Sequence, residues 1–129
     1  MHKEHVLHLI DSGGFYGAER VVLTLLDELR CTSVVCFLGC LVENPAKMPE
    51  LARRAEKLGI QVKGFVVRRG FDLAGIRQIR EFVRTHNIQL IHSHGYKANI
   101  LCGLMLSGGS KKVSTTHGWP RTKGLRVRV

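Results

Sequence analysis

The chain has 129 residues, of which 44% are hydrophobic, and this size and composition fit one modest globular domain. No apolar run approaches the roughly 20 residues that a membrane-spanning helix needs. The first apolar run, residues 6–10, is too short for a signal peptide, so we expect a cytoplasmic protein. Four cysteines without a Cys-x-x-Cys pair are typical of buried free thiols rather than of disulfides or a zinc site.

The net charge of +10 is concentrated in the second half of the sequence. Residues 1–60 carry seven Lys/Arg and eight Asp/Glu, whereas residues 61–129 carry thirteen Lys/Arg and two Asp/Glu. This imbalance favours phosphates, nucleic acid or anionic lipid headgroups as partners. The alternative is a solvated helix face, because Arg77, Arg80 and Arg84 lie at i, i+3 and i+7. Nucleic acid is the least favoured partner, since the basic residues lack interleaved aromatics on which bases would stack.

A glycine-rich turn, residues 11–17, separates a short apolar run from an amphipathic pattern. The run at residues 6–10 predicts a buried strand. The apolar residues after the turn recur at helical spacing and predict one stripe of a helix: Ala18, Val21, Val22, Leu25, Leu26 and Leu29. Backbone N–H groups at a helix N-terminus suit a phosphate, and Gly13 and Gly14 would let it approach closely. The alternative is a tight strand-to-helix turn without a ligand.

The rest of the chain alternates strands and helices with short connections. We expect strands at residues 32–38, 60–67, 88–92 and 111–116, a loop at 39–45, and helices at 46–58, between Asp72 and Asn87, and at 96–107. Asp72 is the predicted N-cap of its helix, whose inward face would be Leu73, Ile76, Ile79 and Val83. The helix at 96–107 is apolar nearly all round, which predicts that it is well covered.

This order predicts an α/β fold, a Rossmann-like doubly wound parallel sheet of about five strands in the order 3-2-1-4-5. Ligands bind such sheets at the carboxyl ends of the strands, where the strand order reverses between strands one and four. The loops at residues 11–17, 93–97 and 117–120 would therefore meet at that edge. Together they contain the glycine turn, two histidines, a lysine and two aromatic residues.

The histidines in these loops are candidates for ligand contacts. His94 follows an expected strand and precedes a glycine, so we interpret it as a functional residue, and His92 as a structural one. A His-x-His pair can also bind a metal, but two more ligands are needed and no carboxylate is near in sequence. Our interpretation of His117 also leans to function, but less than that of His94. Lys97 could contact an anionic acceptor or could equally be a solvated cation at the start of a helix. His2, His5 and His8 are expected to be ordinary strand residues, and no residue set predicts unaided hydrolysis.

Three segments resemble the retaining glycosyltransferases of family 4, which have the GT-B architecture. Residues 8–20, His-Leu-Ile-Asp-Ser-Gly-Gly-Phe-Tyr-Gly-Ala-Glu-Arg, resemble the opening strand and its Gly-Gly-x-x-Gly-x-Glu turn. Residues 88–98, Ile-Gln-Leu-Ile-His-Ser-His-Gly-Tyr-Lys-Ala, resemble the His-x-His-Gly segment. Residues 114–119, Ser-Thr-Thr-His-Gly-Trp, resemble the strand that ends in Thr-x-His-Gly.

The resemblance implies transfer of a sugar from a nucleotide-sugar donor to an acceptor hydroxyl with retention, in polysaccharide, glycolipid or cell-envelope biosynthesis. By analogy, Gly13 and Gly14 would face the donor diphosphate and His94 would contact the donor sugar. The acceptor, a glycan or a lipid-linked molecule, would be received by Tyr96, Lys97, His117 and Gly118. No metal and no cofactor beyond the donor is implied, and an anionic membrane is compatible with the basic half.

The sequence departs from the family pattern in one large respect. Members carry a second Rossmann-like domain with the nucleotide pocket and a Glu-x7-Glu segment, which this sequence lacks. We therefore expect residues 1–129 to be a partial acceptor-side domain that is inactive alone. Its donor domain would come from a longer reading frame or from a separate chain. The alternative function is a non-catalytic Rossmann-like module that binds a phosphorylated ligand or a protein.

Overall fold

The fold is built on one parallel β-sheet with helices packed against it. The computed structural model describes residues 3–68, 72–105 and 110–116. Within these ranges the strands are β1 (His5–Ile10), β2 (Val35–Val42), β3 (Gln61–Val66), β4 (Leu90–His94) and β5 (Lys111–Thr115). The helices are α1 (Gly17–Leu29), α2 (Glu50–Lys57), α3 (Leu73–Thr85) and α4 (Tyr96–Met105). The strand order β3-β2-β1-β4-β5, parallel throughout, confirms the predicted doubly wound fold.

The two faces of the central strand β1 belong to two hydrophobic cores. Leu7 and Leu9 are fully buried in a core that includes residues of α3 and α4. Ile10 lies in the opposite core, with residues of α1 and α2. Because successive side chains of a strand alternate between faces, His8 lies on the same face as Ile10. A polar residue is therefore buried in the middle of the sheet, where β1 is flanked by strands on both sides.

The second strand extends further than the sequence predicted. We expected a strand at residues 32–38 and a loop from Gly39, but β2 runs from Val35 to Val42. Pairing with β3 continues as far as Val42 opposite Val66, which keeps this part of the chain extended. Gly39 fits inside the sheet because a Cβ there would lie 2.6 Å from the Phe65 ring and 2.7 Å from Leu9. Gly39 is therefore a closely packed position inside the sheet and not part of a turn.

The helices confirm the expected order but differ at their boundaries. Helix α2 begins at Glu50, with Pro49 as its N-cap, rather than at residue 46. Asp72 caps α3 as predicted, since its carboxylate accepts a hydrogen bond from the Gly75 N–H at 3.1 Å. The stripe predictions were wrong at Val21 (52% exposed) and Leu73 (56%), and Ile100 (51%) shows that α4 is not covered all round. Val21 and Leu73 lie at the margins of their apolar stripes, whereas Ile100 lies on the face of α4 away from the buried Ala98, Leu101 and Cys102.

The expectation of buried thiols holds for three of the four cysteines and was wrong for Cys31. All four cysteines are free, but Cys31 is exposed whereas Cys36, Cys40 and Cys102 are buried. Burial raises the pKa of the Cys40 thiol to about 12, so this thiol stays protonated. The side chains of Arg77, Arg80 and Arg84 are exposed on α3. No helix in the described ranges has the length and apolar character needed to cross a membrane.

Replacement of Gly39 by alanine should destabilise the chain by about 1–3 kcal/mol, because the new methyl group overpacks the space between Phe65 and Leu9. Urea unfolding followed by circular dichroism would measure the loss. The matched control is Gly103→Ala in α4, where a Cβ meets no atom within 4 Å. That change should be neutral or stabilising by up to about 1 kcal/mol. Equal unfolding midpoints for Gly39→Ala and the parent chain would contradict the packing argument.

Candidate functional site

A polar cleft of about 420 Å³ lies at the carboxyl ends of β1 and β2 and beside the start of α4. We call it the edge cleft. Its polar lining side chains are Asp11 and Ser12 after β1, Glu43, Asn44 and Lys47 after β2, and Lys97 on α4. The prediction that the loops after strands one and four meet is confirmed by Asp11, Ser12 and Lys97. The contribution of the loop after β2 was not predicted, because the strand expected at residues 32–38 ends four residues before Val42.

The edge cleft combines both signs of charge with neutral hydrogen-bonding groups. Two carboxylates, Asp11 and Glu43, share its walls with two ammonium groups, Lys47 and Lys97. Carboxylates accept hydrogen bonds and ammonium groups donate them, so the lining offers both kinds of partner. A hydroxyl group both donates and accepts. The lining therefore suits a ligand with several hydroxyl groups better than a simple anion.

The glycine turn is held by a buried carboxylate, the glutamate of the Gly-Gly-x-x-Gly-x-Glu segment, for which no role was predicted. Glu19 is 5% exposed, and its Oε2 accepts a hydrogen bond from the Tyr16 N–H at 3.3 Å. Its Oε1 lies 3.1 Å from the Ser12 hydroxyl. An acidic residue three positions after a helix N-cap was the available signal. The positive end of α1 therefore already faces a negative charge, which weakens the turn as a site for a second anion.

The two glycines of the turn have different surroundings. A Cβ on Gly14 would clash with the ring of Tyr16, so that ring lies against the Gly14 backbone. A Cβ on Gly13 would meet nothing within 4 Å, and Gly13 is exposed. Of the two predicted diphosphate contacts, Gly13 is the more accessible. Their role in binding a donor remains a prediction.

Three histidines meet between β1 and β4: His8, His92 and His94, which we call the histidine cluster. His8 is paired with His92 in the parallel register, and His94 is the last residue of β4. The rings of His92 and His94 stack with centroids 4.0 Å apart, and the His8 ring lies 5.2 Å and 5.4 Å from them. His8 and His94 are each 1% exposed. His8 lies on a strand as expected, but its contacts with His92 and His94 were not predicted.

Hydrogen bonds link the histidine cluster internally and to β5. The Nδ1 atom of His8 lies 3.2 Å from Nε2 of His94, so one ring donates and the other accepts. The Nε2 atom of His92 lies 2.6 Å from the Thr115 hydroxyl, which agrees with the interpretation of His92 as a hydrogen-bonded structural residue. The Nε2 atom of His8 is buried without a partner in the described part of the chain.

The buried position of His8 sets its charge. Burial, and to a lesser extent the nearby His92, lowers the pKa of His8 to about 4. The His8 imidazole is therefore neutral at pH 7. A neutral ring can donate through one nitrogen and offer a lone pair through the other, which is the form that a ligand contact or a metal requires.

The predicted acceptor residues are divided between two places. Lys97 lines the edge cleft, whereas Tyr96 lines a second cleft of about 270 Å³ with Asn99, Ile100 and Thr116. Tyr96 is 54% exposed. Between β4 and α4 the backbone turns at Gly95, whose φ of 89° favours glycine and whose N–H donates to the Thr115 carbonyl at 3.1 Å. His117 and Gly118 lie outside the described residues.

Comparison with protein families decides the wider identity of the chain. The model of Glycosyltransferase Family 4 matches residues 15–128, which is most of the sequence. The chain belongs to glycosyltransferase family 4. The match includes two of the three segments that carried the resemblance, those with His94 and His117, and only the end of the first. This family 4 chain has no significant match among curated proteins.

Solved structures show where else this family 4 fold is found. The universal stress protein from Archaeoglobus fulgidus in complex with dAMP is 13% identical, with 88% of this chain and 98% of that chain covered and a TM-score of 0.50. Another structure of a universal stress protein from the same organism is 12% identical, with 86% and 92% covered and a TM-score of 0.47. At such identities the first likeness shows a shared α/β fold and nothing about activity.

Removal of the Glu19 side chain should destabilise the family 4 chain by about 1 kcal/mol, because the Tyr16 N–H loses its acceptor at the start of α1. Glu19→Gln should lose less than Glu19→Ala, since its amide oxygen can still accept. Urea unfolding would measure both, with Glu28→Gln on the exposed face of α1 as the control. A Glu19→Ala variant as stable as the parent would contradict the capping role.

The free energy of unfolding should fall as the pH is lowered from about 6.5 to about 4, because the unfolded chain protonates His8 and the folded chain does not. Because the pKa of His8 is lowered in the folded state, the folded state loses stability as the pH falls. At about 1.4 kcal/mol per pH unit, the free energy of unfolding would fall by about 3 kcal/mol in total. Urea unfolding at several pH values, with a chelator present, would measure it. His8→Leu should flatten the slope. A His8→Leu variant with the parent's slope would contradict the assignment.

Proposed function

We propose that this chain is the acceptor-binding part of a glycosyltransferase that moves a sugar from a nucleotide-sugar donor to an acceptor hydroxyl with retention. The observation that carries the proposal is the edge cleft, which lies at the ligand-binding edge of the sheet in a chain of family 4. The acceptor would be a glycan or a lipid-linked molecule. The products would belong to polysaccharide, glycolipid or cell-envelope biosynthesis.

The lining of the edge cleft supports a hydroxyl-bearing acceptor. Asp11 and Glu43 could accept hydrogen bonds from hydroxyl protons, and Lys97 could donate to hydroxyl oxygens. Several weak, oriented contacts of this kind would place one hydroxyl towards the donor, which is the contribution that positioning makes to group transfer. Neither carboxylate is proposed as a nucleophile.

The donor would approach from the side of the glycine turn and the end of β4. Gly13 would offer open backbone for the diphosphate, although the carboxylate of Glu19 nearby disfavours a strong anion site in this chain by itself. Charge on the leaving diphosphate would therefore need further cationic groups. A donor-binding domain in a longer frame or on a separate polypeptide would supply them. His94 would contact the donor sugar only if part of its buried ring became accessible.

Contact with an anionic membrane is a further part of the proposal. Arg77 and Arg84 are exposed on α3, on the opposite side of the sheet from α1 and α2. Each basic side chain near an anionic surface contributes about 1 kcal/mol of attraction. Such contact would suit a lipid-linked acceptor.

Lys97→Ala should weaken binding of a hydroxyl-bearing acceptor by roughly tenfold, which is what the loss of one charge-assisted hydrogen bond predicts. Amide chemical shifts of the isotope-labelled chain, titrated with a panel of oligosaccharides and glycolipid headgroups, would give affinity and location. The matched control is Lys57→Ala, an exposed lysine at the far end of α2. Shifts confined to residues outside the edge cleft would contradict the proposed site.

A transfer assay tests the reaction itself. The chain alone, and any longer polypeptide that contains it, would be incubated with labelled nucleotide sugars and the acceptors found by titration. Transfer by the longer polypeptide, with reduced turnover on Lys97→Ala, would support the proposal. Ligand binding without transfer in any form would favour the non-catalytic binding module instead.

A further inference from the structure

We propose that the histidine cluster, His8, His92 and His94, binds a single transition-metal ion such as Zn²⁺. This site goes beyond the proposed glycosyl transfer and does not rest on it. Two strands far apart in sequence supply the ligands: His8 from β1, and His92 and His94 from β4. The His-x-His pair of β4 is thus joined by a third imidazole that sequence spacing alone did not reveal.

The distances within the histidine cluster fit three ligands of one metal ion. One ring nitrogen from each residue lies within 4.8 Å of the others. The His8 Nδ1 and His94 Nε2 atoms are 3.2 Å apart. Two nitrogens bound tetrahedrally at about 2.0–2.1 Å from zinc would be separated by about 3.3 Å. The pair is therefore already at the spacing that a shared metal ion requires.

The hydrogen bonding of His8 bears on which of its ring nitrogens would hold the ion. His8 is 1% exposed, and its Nε2 atom has no hydrogen-bond partner within the described ranges. A buried polar atom without a partner costs free energy, about 1–3 kcal/mol. The ring coordinates one ion through one nitrogen, and the spacing to His94 assigns that role to Nδ1, so Nε2 would carry the proton. A shared ion is therefore supported by the placement of the three rings, not by the buried Nε2.

A hydrogen bond to one ligand resembles the outer support of known metal sites. Metal-bound histidines usually donate their other ring N–H to an oxygen, which fixes the ring and its tautomer. The His92 Nε2 atom lies 2.6 Å from the Thr115 hydroxyl. When His92 donates through Nε2, its Nδ1 carries the lone pair that coordinates a metal. Thr115, opposite His94 in the register of β4 and β5, would then orient a ligand.

The rings must turn slightly to bind one ion. His92 and His94 stack with an interplanar angle of 26°, so their lone pairs do not yet converge on one point. The torsion about the Cβ–Cγ bond of histidine is soft, so such a turn is inexpensive. The ion can approach across β4 and β5, where His92 is only partly buried and its neighbour Val113 is 46% exposed.

The donor set selects the class of metal. Three imidazoles without a carboxylate favour zinc, copper, nickel or cobalt over magnesium and calcium, which prefer oxygen ligands. Three protein ligands also leave a fourth position for water or another ligand, as in open zinc sites.

Metal titration of the full chain tests the proposal directly. The chain would be freed of metal with a chelator, then titrated with Zn²⁺ by calorimetry and with Co²⁺ by visible absorption. We expect one ion per chain, with a cobalt spectrum of tetrahedral character, and no competition from Mg²⁺. The variants His92→Gln and His8→Gln should weaken binding at least tenfold. His5→Gln and Cys31→Ser, which alter other candidate ligands, should leave it unchanged.

Imidazole ¹⁵N shifts in the parent chain keep the test decisive if a variant fails to fold. Zinc should move the ring nitrogens of His8, His92 and His94 and leave those of His5 and His86 in place. No binding at micromolar zinc would overturn the proposal. Binding that persists in folded His92→Gln, or that moves the His5 or His86 rings instead, would overturn it as well, because other ligands would then hold the ion.

Discussion

The parallel pairing of β1 with β4 is the constraint on which the rest of the structure depends. It joins the first and second halves of the sheet and places His8 beside His92 and Ile10 beside His94. It also brings the chain after β1 next to the start of α4, so that Asp11 and Lys97 line one cleft. Without this pairing the two histidine-bearing strands and the two sides of the edge cleft would have no fixed relation.

The sequence determines the order of the elements and the topology because these depend on local signals. Helical periodicity, Asp72 as an N-cap and Gly59 with a φ of 83° at the end of α2 mark elements without any knowledge of their neighbours. Right-handed crossovers then limit the strand order. Exposure at the stripe margins was not predictable, since Val21 and Leu73 lie where the covering layer ends, and periodicity does not show where a layer ends.

The candidate site was predicted only where it depends on topology. Loops after β1 and β4 had to meet at the carboxyl edge, and the edge cleft confirms this. The contact between His8 and His94 spans 86 positions in sequence and depends on the register between two strands. A shift of one residue would place His8 on the other face of the sheet. Register comes from packing on both faces, which no short pattern in the sequence encodes.

The place of His94 links the reaction proposed for the chain to the proposed metal site. Its backbone lies at the ligand-binding end of β4, next to the turn at Gly95, but its imidazole packs against the rings of His8 and His92. A ring fixed by a metal ion could not also turn towards a donor sugar. The two ligands would then oppose each other, and linkage requires that each lowers the affinity for the other by the same factor. A donor that binds equally well with and without zinc would therefore not use the His94 ring.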